Sequence, residues 1–590
     1  MLRLLTRTPP WLAALLGLFV LLPTVGMGFY VDDHVHQLVL DGTLDQGPMR
    51  PWALYDFGTR GDWQGAGPDT GAFPWWTGPE WKTRFLRPVS SVYLWGAHAI
   101  FGAWAPGYHL LGLALFAWLV VLLHGLFRRL GMSPAAANAG AAVFALADCS
   151  VLPVGWPANV NTLLAALLSV LALRAVVAGE GSEPLSSGRI ARGLLCAVCA
   201  ALAKESGVVV LLFVGGVLAL QARRAPGRGR LFLAAGIAFL LVAVHATVYV
   251  QAGYGTHSAF YATPWSDPAR FSRNLVLLAT GGLASLFGPF PFDAAALFPP
   301  VAWVIAGVGA LLAWPFALWI GRSLRGHPLA LPLALWTAAT LAFQAGAPSA
   351  DRLLFLPTLG VAGLLGLFLE RRLMSASSRG GTPSTHARLP RLATHALVLS
   401  LTVGSGAYAL LQSAGMRQSS SYLRSTTLAT DVGSPELGHR DLLVLQTESQ
   451  VHAFTLGSTW AYGSEDRDLA FWIFQMGPRP LRWTRTADRA FELETLGEPF
   501  LSQPFELPYL SGPADVPVGT RWRTTLFEVE ALAVDPRGPT RLAFTFQRSL
   551  DDAALRFLRP ARGRLVEVAP PAVGASIELP APVRVGPFMP

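Results

Sequence analysis

The sequence predicts a mainly α-helical, polytopic membrane protein that ends in a β-rich soluble domain. Composition is the first reason. The 590 residues are 52% hydrophobic and only 14% charged, where a soluble domain carries about 25% charge. Distribution is the second. Residues 1–413 hold nearly all the long apolar runs, and 414–590 read as ordinary soluble sequence. The third is the arginines, which fall in clusters between the apolar runs.

About eleven spans follow from hydropathy, near 11–29, 107–127, 134–152, 159–178, 193–203, 206–221, 231–250, 300–320, 328–345, 353–370 and 392–412. Arg3 and Arg7, Arg128 and Arg129, Arg189 and Arg192, Arg223 to Arg230, Arg322 and Arg325, and Arg371 to Arg391 then all lie on one side. By the positive-inside rule that side is the cytoplasm. The assignment puts the N-terminus inside and the C-terminal domain outside. It gives a transmembrane domain over 1–413 with a large first outer loop at 30–106, a polar linker at 414–435 and an extracytoplasmic β-rich domain at 436–590. Residues 89–104 and 274–291 are apolar but interrupted, and are expected as interfacial helices.

Several classes are excluded early. The formal charge is +9, but the basic residues form no single clustered face, so nucleic acid is not an expected partner. Cys149, Cys196 and Cys199 all lie in apolar runs, and Cys196-Ala-Val-Cys199 reads as helix packing. Of the basic residues only Lys82 and Lys204 are lysines. That bias, with abundant Ala, Gly and Pro, points to a bacterial inner membrane. The run after Arg7 reads as an uncleaved signal anchor.

The most informative residues directly follow the first span, in Phe29-Tyr-Val-Asp-Asp-His-Val-His36. Carboxylates at the membrane surface are poorly placed for packing and well placed to act on a substrate arriving in the membrane. If Asp32 and Asp33 flank one site, their repulsion holds one carboxyl above its usual range, which favours proton acceptance. On the same face the topology collects Asn159, Lys204, Glu205, Asp351 and Arg352. Arg87, Arg352 and Lys204 are the candidate phosphate ligands, since a guanidinium matches two phosphate oxygens. His34, His36, His109, Asn159 and Glu205 are candidate substrate contacts. No metal is expected, because the Asp/His spacing matches no metal-ligand pattern. Trp52, Trp63, Trp75, Trp76 and Trp81, with Tyr254, Tyr261 and Trp265, read as interfacial anchors.

These residues also form an ordered series. After the acidic pair come Arg87-Pro88, Phe101-Gly102, Gly107-Tyr108-His109, and a helix reaching His124. Then follow Gly155-Trp-Pro-Ala-Asn-Val-Asn161, Ala203-Lys-Glu-Ser206 and Asp351-Arg-Leu-Leu-Phe-Leu-Pro357. The series, over about residues 1–370, resembles the membrane half of GT-C glycosyltransferases. It is most similar to protein O-mannosyltransferases that carry transmembrane and tetratricopeptide-repeat regions, and to their bacterial relatives. The family's C-terminal helical repeats are absent. The resemblance implies an inverting transferase that takes a sugar from a polyprenyl-phosphate carrier at the outer face, without a metal or other cofactor. It implies Asp33 or Asp32 as base, with Asp33 preferred, and Arg87 and Arg352 near the lipid phosphate. Expected partners are the lipid-linked sugar, membrane lipids, and an acceptor that is protein, glycan or glycolipid. The rival reading is a non-catalytic membrane scaffold displaying an extracytoplasmic β domain. A transporter or flippase is disfavoured by the absence of internal repeats.

In the soluble tail, Leu442–Leu445, Thr525–Glu530, Arg541–Phe546 and Leu565–Val568 read as strands separated by Pro and Gly, which suggests a sandwich.

Overall fold

A computed structural model describes residues 2–63, 67, 71–179, 185–223, 228–377, 385–466, 469–511, 516–561 and 563–583. Contacts divide the chain into two units. The first comprises Met1–Met27, Leu86–Gly253 and Ala262–Ala414; the second comprises Gly28–Phe85, Tyr254–Tyr261 and Gly415–Pro590.

The first unit is helical. Among the described residues seven helices are long and apolar enough to cross a membrane, or eight if the bent pair Pro134–Ala145 and Asp148–Gly155 is one span. The shorter apolar helices Pro10–Gly26 and Ala330–Gln344 add to these. Each of the eleven stretches expected to span is helical, but the remainder fall short in length or apolarity. Residues 89–104 hold a helix at Pro88–Phe101, and 274–291 the end of a helix that starts at Pro268. Local chemistry sets the starts. Pro88, Pro134 and Pro268 each sit in a first turn, where a missing N–H costs nothing. Ser133 caps its helix by accepting from the Ala136 N–H, and Asp267 does the same for Arg270.

Small residues let helices close in. Helix Pro134–Ala145 packs on Phe355–Ser377 through glycine and alanine, and a Cβ at Gly366 would come within 2.3 Å of the Ala136 carbonyl oxygen. Without a hydrophobic drive between helices in lipid, such close approach is what holds them.

The second unit joins pieces far apart in sequence. Residues 28–85 contribute helix Asp32–Leu40 and strands Asp56–Thr59 and Lys82–Arg84, which form a three-stranded antiparallel sheet with Gly255–His257. The tail forms a six-stranded antiparallel sheet in the order Ser576–Leu579, Leu481–Ala487, Ala490–Thr495, Gly538–Phe546, Phe527–Asp535, Arg521–Arg523. A four-stranded sheet runs Arg564–Glu567, Leu555–Ala561, Arg440–Val444, Leu469–Ile473. Its inner pairings are parallel, and helix Gln450–Gly463 makes the crossover that a parallel pair requires. The tail is thus β-rich as expected, with a βαβ element that an all-strand reading missed. The stretch 414–435 is largely helical, because Ser405–Leu428 runs on as one helix.

The loop tryptophans are not anchors. Trp75 and Trp76 lie in the core with Leu443, Trp472, Phe491 and Phe544. Their indole N–H groups donate to the carbonyls of Ile473 (3.0 Å) and Glu506 (3.2 Å), and Trp81 donates to Pro508 (2.8 Å). Trp63 is also buried. Of the five tryptophans in that loop only Trp52, at 55% exposure, fits the interfacial expectation, and Trp265 outside it is exposed as well. The physical reason is that the loop folds into the second unit, where the indoles join an aromatic cluster from the tail and pair their N–H groups with its backbone carbonyls. Deleting a buried indole leaves a cavity that costs about 3–5 kcal/mol. Trp76→Ala is therefore expected to render the second unit protease-sensitive at temperatures where Trp52→Ala leaves it intact.

Candidate active site

In the first unit, five of the predicted residues come together. Arg87 stands just before helix Pro88–Phe101. Its Nε and Nη2 donate to the Glu205 carboxylate at 2.7 to 3.1 Å. The Ser90 hydroxyl, one turn on, donates to the Ala203 carbonyl (2.8 Å) and fixes the same pair of elements. Glu205 is thereby taken by Arg87, not by its neighbour Lys204.

Lys204 sits in extended backbone where helix Ser187–Ala203 stops. It is 9% exposed, and its Nζ donates to the Thr162 hydroxyl at 2.6 Å. That hydroxyl is also within 3.1 Å of the side-chain oxygens of Asn159 and Asn161. Among the described residues no carboxylate lies within ion-pairing distance of this ammonium. The charges of Arg87 and Arg352 act on Lys204 as well as that of Glu205. Arg352 lies over the Trp156 ring, 5.5 Å from its centroid, while the Asp351 carboxylate is held by Ser285 at 2.9 Å. The adjacent Asp351 and Arg352 are thus engaged separately. His109 is fully buried in helix Ala105–Arg129. Thr162 and Trp156 were not singled out in the sequence, although Trp156 lies inside the Gly155–Asn161 motif.

The acidic pair belongs to the second unit, at the start of helix Asp32–Leu40. Val31 just before it has φ +49° and ψ −114°, a conformation that suits glycine and strains a β-branched residue. The structure separates the two acids. Asp33 is 2% exposed, and its Oδ2 accepts the Tyr30 N–H at 2.8 Å. Asp32 is half-buried, and its charge acts on the phenol of Tyr509. His34 and His36 point into protein. His34 Nδ1 lies 3.4 Å from the Thr459 hydroxyl, and the His36 ring packs edge-on to Tyr55. Burial pulls His34 down to about 4; the Arg424 charge adds to this, and a hydrogen bond at the Val31 backbone opposes it. Burial alone brings His452 down to about 4.

Fold and site together describe a multi-pass membrane protein with a C-terminal β-rich region and a cluster of basic side chains among its helix ends. No family model and no curated protein matches the chain. Solved structures do. ArnT from Cupriavidus metallidurans bound to undecaprenyl phosphate is 14% identical, with a TM-score of 0.40 over 78% of this chain and 89% of that one. ArnT in the apo state gives 13%, 0.39, 75% and 83%. The oligosaccharyltransferase AglB from Archaeoglobus fulgidus, in complex with an inhibitory peptide and a dolichol-phosphate, gives 12%, 0.37, 78% and 64%. The chain is similar to these structures at low identity.

Two outcomes follow from the second unit. In the unfolded chain His34 and His452 protonate near 6.5; in the folded chain they do so only near 4. Their contribution is whole above about pH 6.5 and is lost as pH falls toward 4, on the order of 3 kcal/mol for each. Thermal melts of the full chain between pH 7.5 and 4.5 should show this fall, and His452→Leu should flatten it. Separately, Val31→Gly relieves a backbone strain of about 1–3 kcal/mol but gives up a buried side chain of similar worth, so it should shift the melting temperature far less than Val529→Gly at an unstrained buried site.

Proposed function

We propose that the chain is an inverting glycosyltransferase. It would move a sugar from a polyprenyl-phosphate donor to an acceptor at the outer face of a bacterial inner membrane, with the C-terminal domain extracytoplasmic. The observation that carries this reading is Lys204. A lysine buried among apolar helices without a paired carboxylate is costly, and an incoming anion offsets that cost. Arg352 and the Glu205-paired Arg87 act on the same group, and Lys204 with Arg352 suits a phosphate that gains charge as the sugar departs. The ordered motifs of the sequence name the same residues.

In this reading the acceptor hydroxyl oxygen attacks the anomeric carbon from the face opposite the phosphate. The new glycosidic bond forms as the carbon–oxygen bond to the phosphate breaks. The hydroxyl proton passes to an acidic side chain, and the lipid phosphate leaves as an anion held by the cations. The acceptor for that proton is one member of the acidic pair, Asp33 or Asp32. The Asp33 carboxylate also accepts the Tyr30 N–H and so helps to hold the turn. Asn159 and Glu205 orient polar groups around the phosphate, and no metal or other cofactor is needed.

The test uses the purified full chain in nanodiscs, with a panel of polyprenyl-phosphate sugars and envelope extract, following labelled sugar by mass spectrometry. Asp32→Asn with Asp33→Asn should lower transfer by at least about 100-fold, the scale of a general base. Lys204→Gln should weaken use of the donor by about 10-fold or more. A fully active double mutant would sink the mechanism. A folded wild type that turns over no lipid-linked sugar would favour the scaffold reading.

A further inference from the structure

A second group of carboxylates lies in the first unit and adjoins the residues assigned to the phosphate at one edge, where Asp351 precedes Arg352 and the Arg352 charge acts on Asp293. Asp148 stands at the break between helix Pro134–Ala145 and helix Val151–Gly155, Asp351 opens a span, and Asp293 lies in the connection before helix Ala302–Ser323. The Asp351 N–H donates to Asp293 Oδ1 at 2.7 Å, and Ser285 donates to Asp351 Oδ1. The charges of Asp148 and Asp293 act on Asp351. Asp148 is 2% exposed. Its Oδ1 accepts the Cys149 N–H at 3.1 Å, but its Oδ2 has no hydrogen-bond partner among the described residues. Asp148 lines a cavity of about 10 Å³.

The lining of that cavity is suggestive. Besides apolar neighbours such as Leu286 it includes Ser285, Thr358 and Ser405, whose hydroxyl oxygens are hard donors. A buried carboxylate oxygen with no partner carries a large desolvation cost. The volume admits one occupant of water size. Magnesium keeps several waters, for which the space has no room, and calcium takes six to eight oxygens, more than one carboxylate and three hydroxyls supply. Among the described residues no three His, Cys, Asp or Glu side chains converge as a metal-ligand set, which leaves a site of one carboxylate and several hydroxyls.

We propose that Asp148, with the hydroxyls of Ser285, Thr358 and Ser405, binds a single dehydrated monovalent cation, sodium in size. The ion would sit where the bent pair meets the span that begins at Asp351, so its presence would tighten that junction. The inference does not depend on the transferase reading.

The test needs no substrate. The full chain in detergent is melted in sodium, potassium and choline chloride at equal ionic strength. Sodium at saturation should raise the melting temperature by about 3 °C over choline, with potassium weaker. Asp148→Asn should abolish the sodium-specific rise, and Thr358→Val, which keeps the side-chain shape, should reduce it. Equal melting in the three salts overturns the proposal and leaves a protonated acid beside an ordinary water. A sodium effect that persists undiminished in both variants overturns it as well, since the ion would then lie elsewhere. Transfer activity decides the function separately.

Discussion

The ion pair between Arg87 and Glu205 is the constraint on which the first unit's chemistry rests. It spans more than a hundred residues, and both partners are largely withdrawn from solvent. In that environment each charge needs the other. Because the guanidinium engages both carboxylate oxygens, the pair also has a fixed orientation. Its most important effect is indirect. Glu205 is the natural partner of Lys204 by adjacency, and taking it away leaves the ammonium on a neutral hydroxyl. The backbone helps: Lys204 adopts extended geometry between two helical segments, so its side chain and that of Glu205 diverge.

The second unit rests on a different constraint, the closure of a core from three distant pieces of chain. Trp75 and Trp76 cannot be buried until the strands beyond residue 440 exist. Arg84 ties strand Lys82–Arg84 to Asp56 through two hydrogen bonds of 2.8 Å, and Gly255–His257 completes that small sheet. Contacts of such sequence separation carry a loop-closure cost that is met before any contact is gained. The first loop therefore stays incomplete until the tail has been made. This couples the acidic pair to the tail: Ser420 and Thr459, both late in the chain, hydrogen-bond at Phe29 and His34.

Much of the helical unit was legible because a span announces itself by length and apolarity. Arg87, Lys204, Glu205, Asn159 and Arg352 were legible as a group because topology alone puts them at the same ends of helices. Their partners were not. That Glu205 would prefer Arg87 to Lys204 depends on backbone geometry at one junction, which periodicity does not encode. The tryptophans were misread for a similar reason. An aromatic-rich loop beside a membrane span has the composition of an interfacial belt, and only the tertiary packing of the loop on the aromatic core of the tail overrides that. Helix Gln450–Gly463 was missed because polar Gln450, His452, Thr455 and Thr459 are buried along with Val451, Ala453 and Leu456, so it shows no apolar stripe.

The turn before the acidic pair shows what the second unit gains from this tertiary closure. Val31 holds a backbone conformation that costs about 1–3 kcal/mol for a residue with a Cβ, and such a turn survives only where its surroundings over-determine it. They do so here. Asp33 bonds back to Tyr30, Ser420 bonds to the Phe29 carbonyl, and His34 packs against Tyr462. The result places two carboxylates in the first turn of a nine-residue helix, whose entry is closed by the Asp33 N–H donating to the Tyr30 carbonyl at 3.0 Å. Asp33 is the more deeply buried of the two acids, and Asp32 is half-buried beside it. The strain at Val31 is thus the local cost of a turn that the packing and hydrogen bonds of the second unit hold in place.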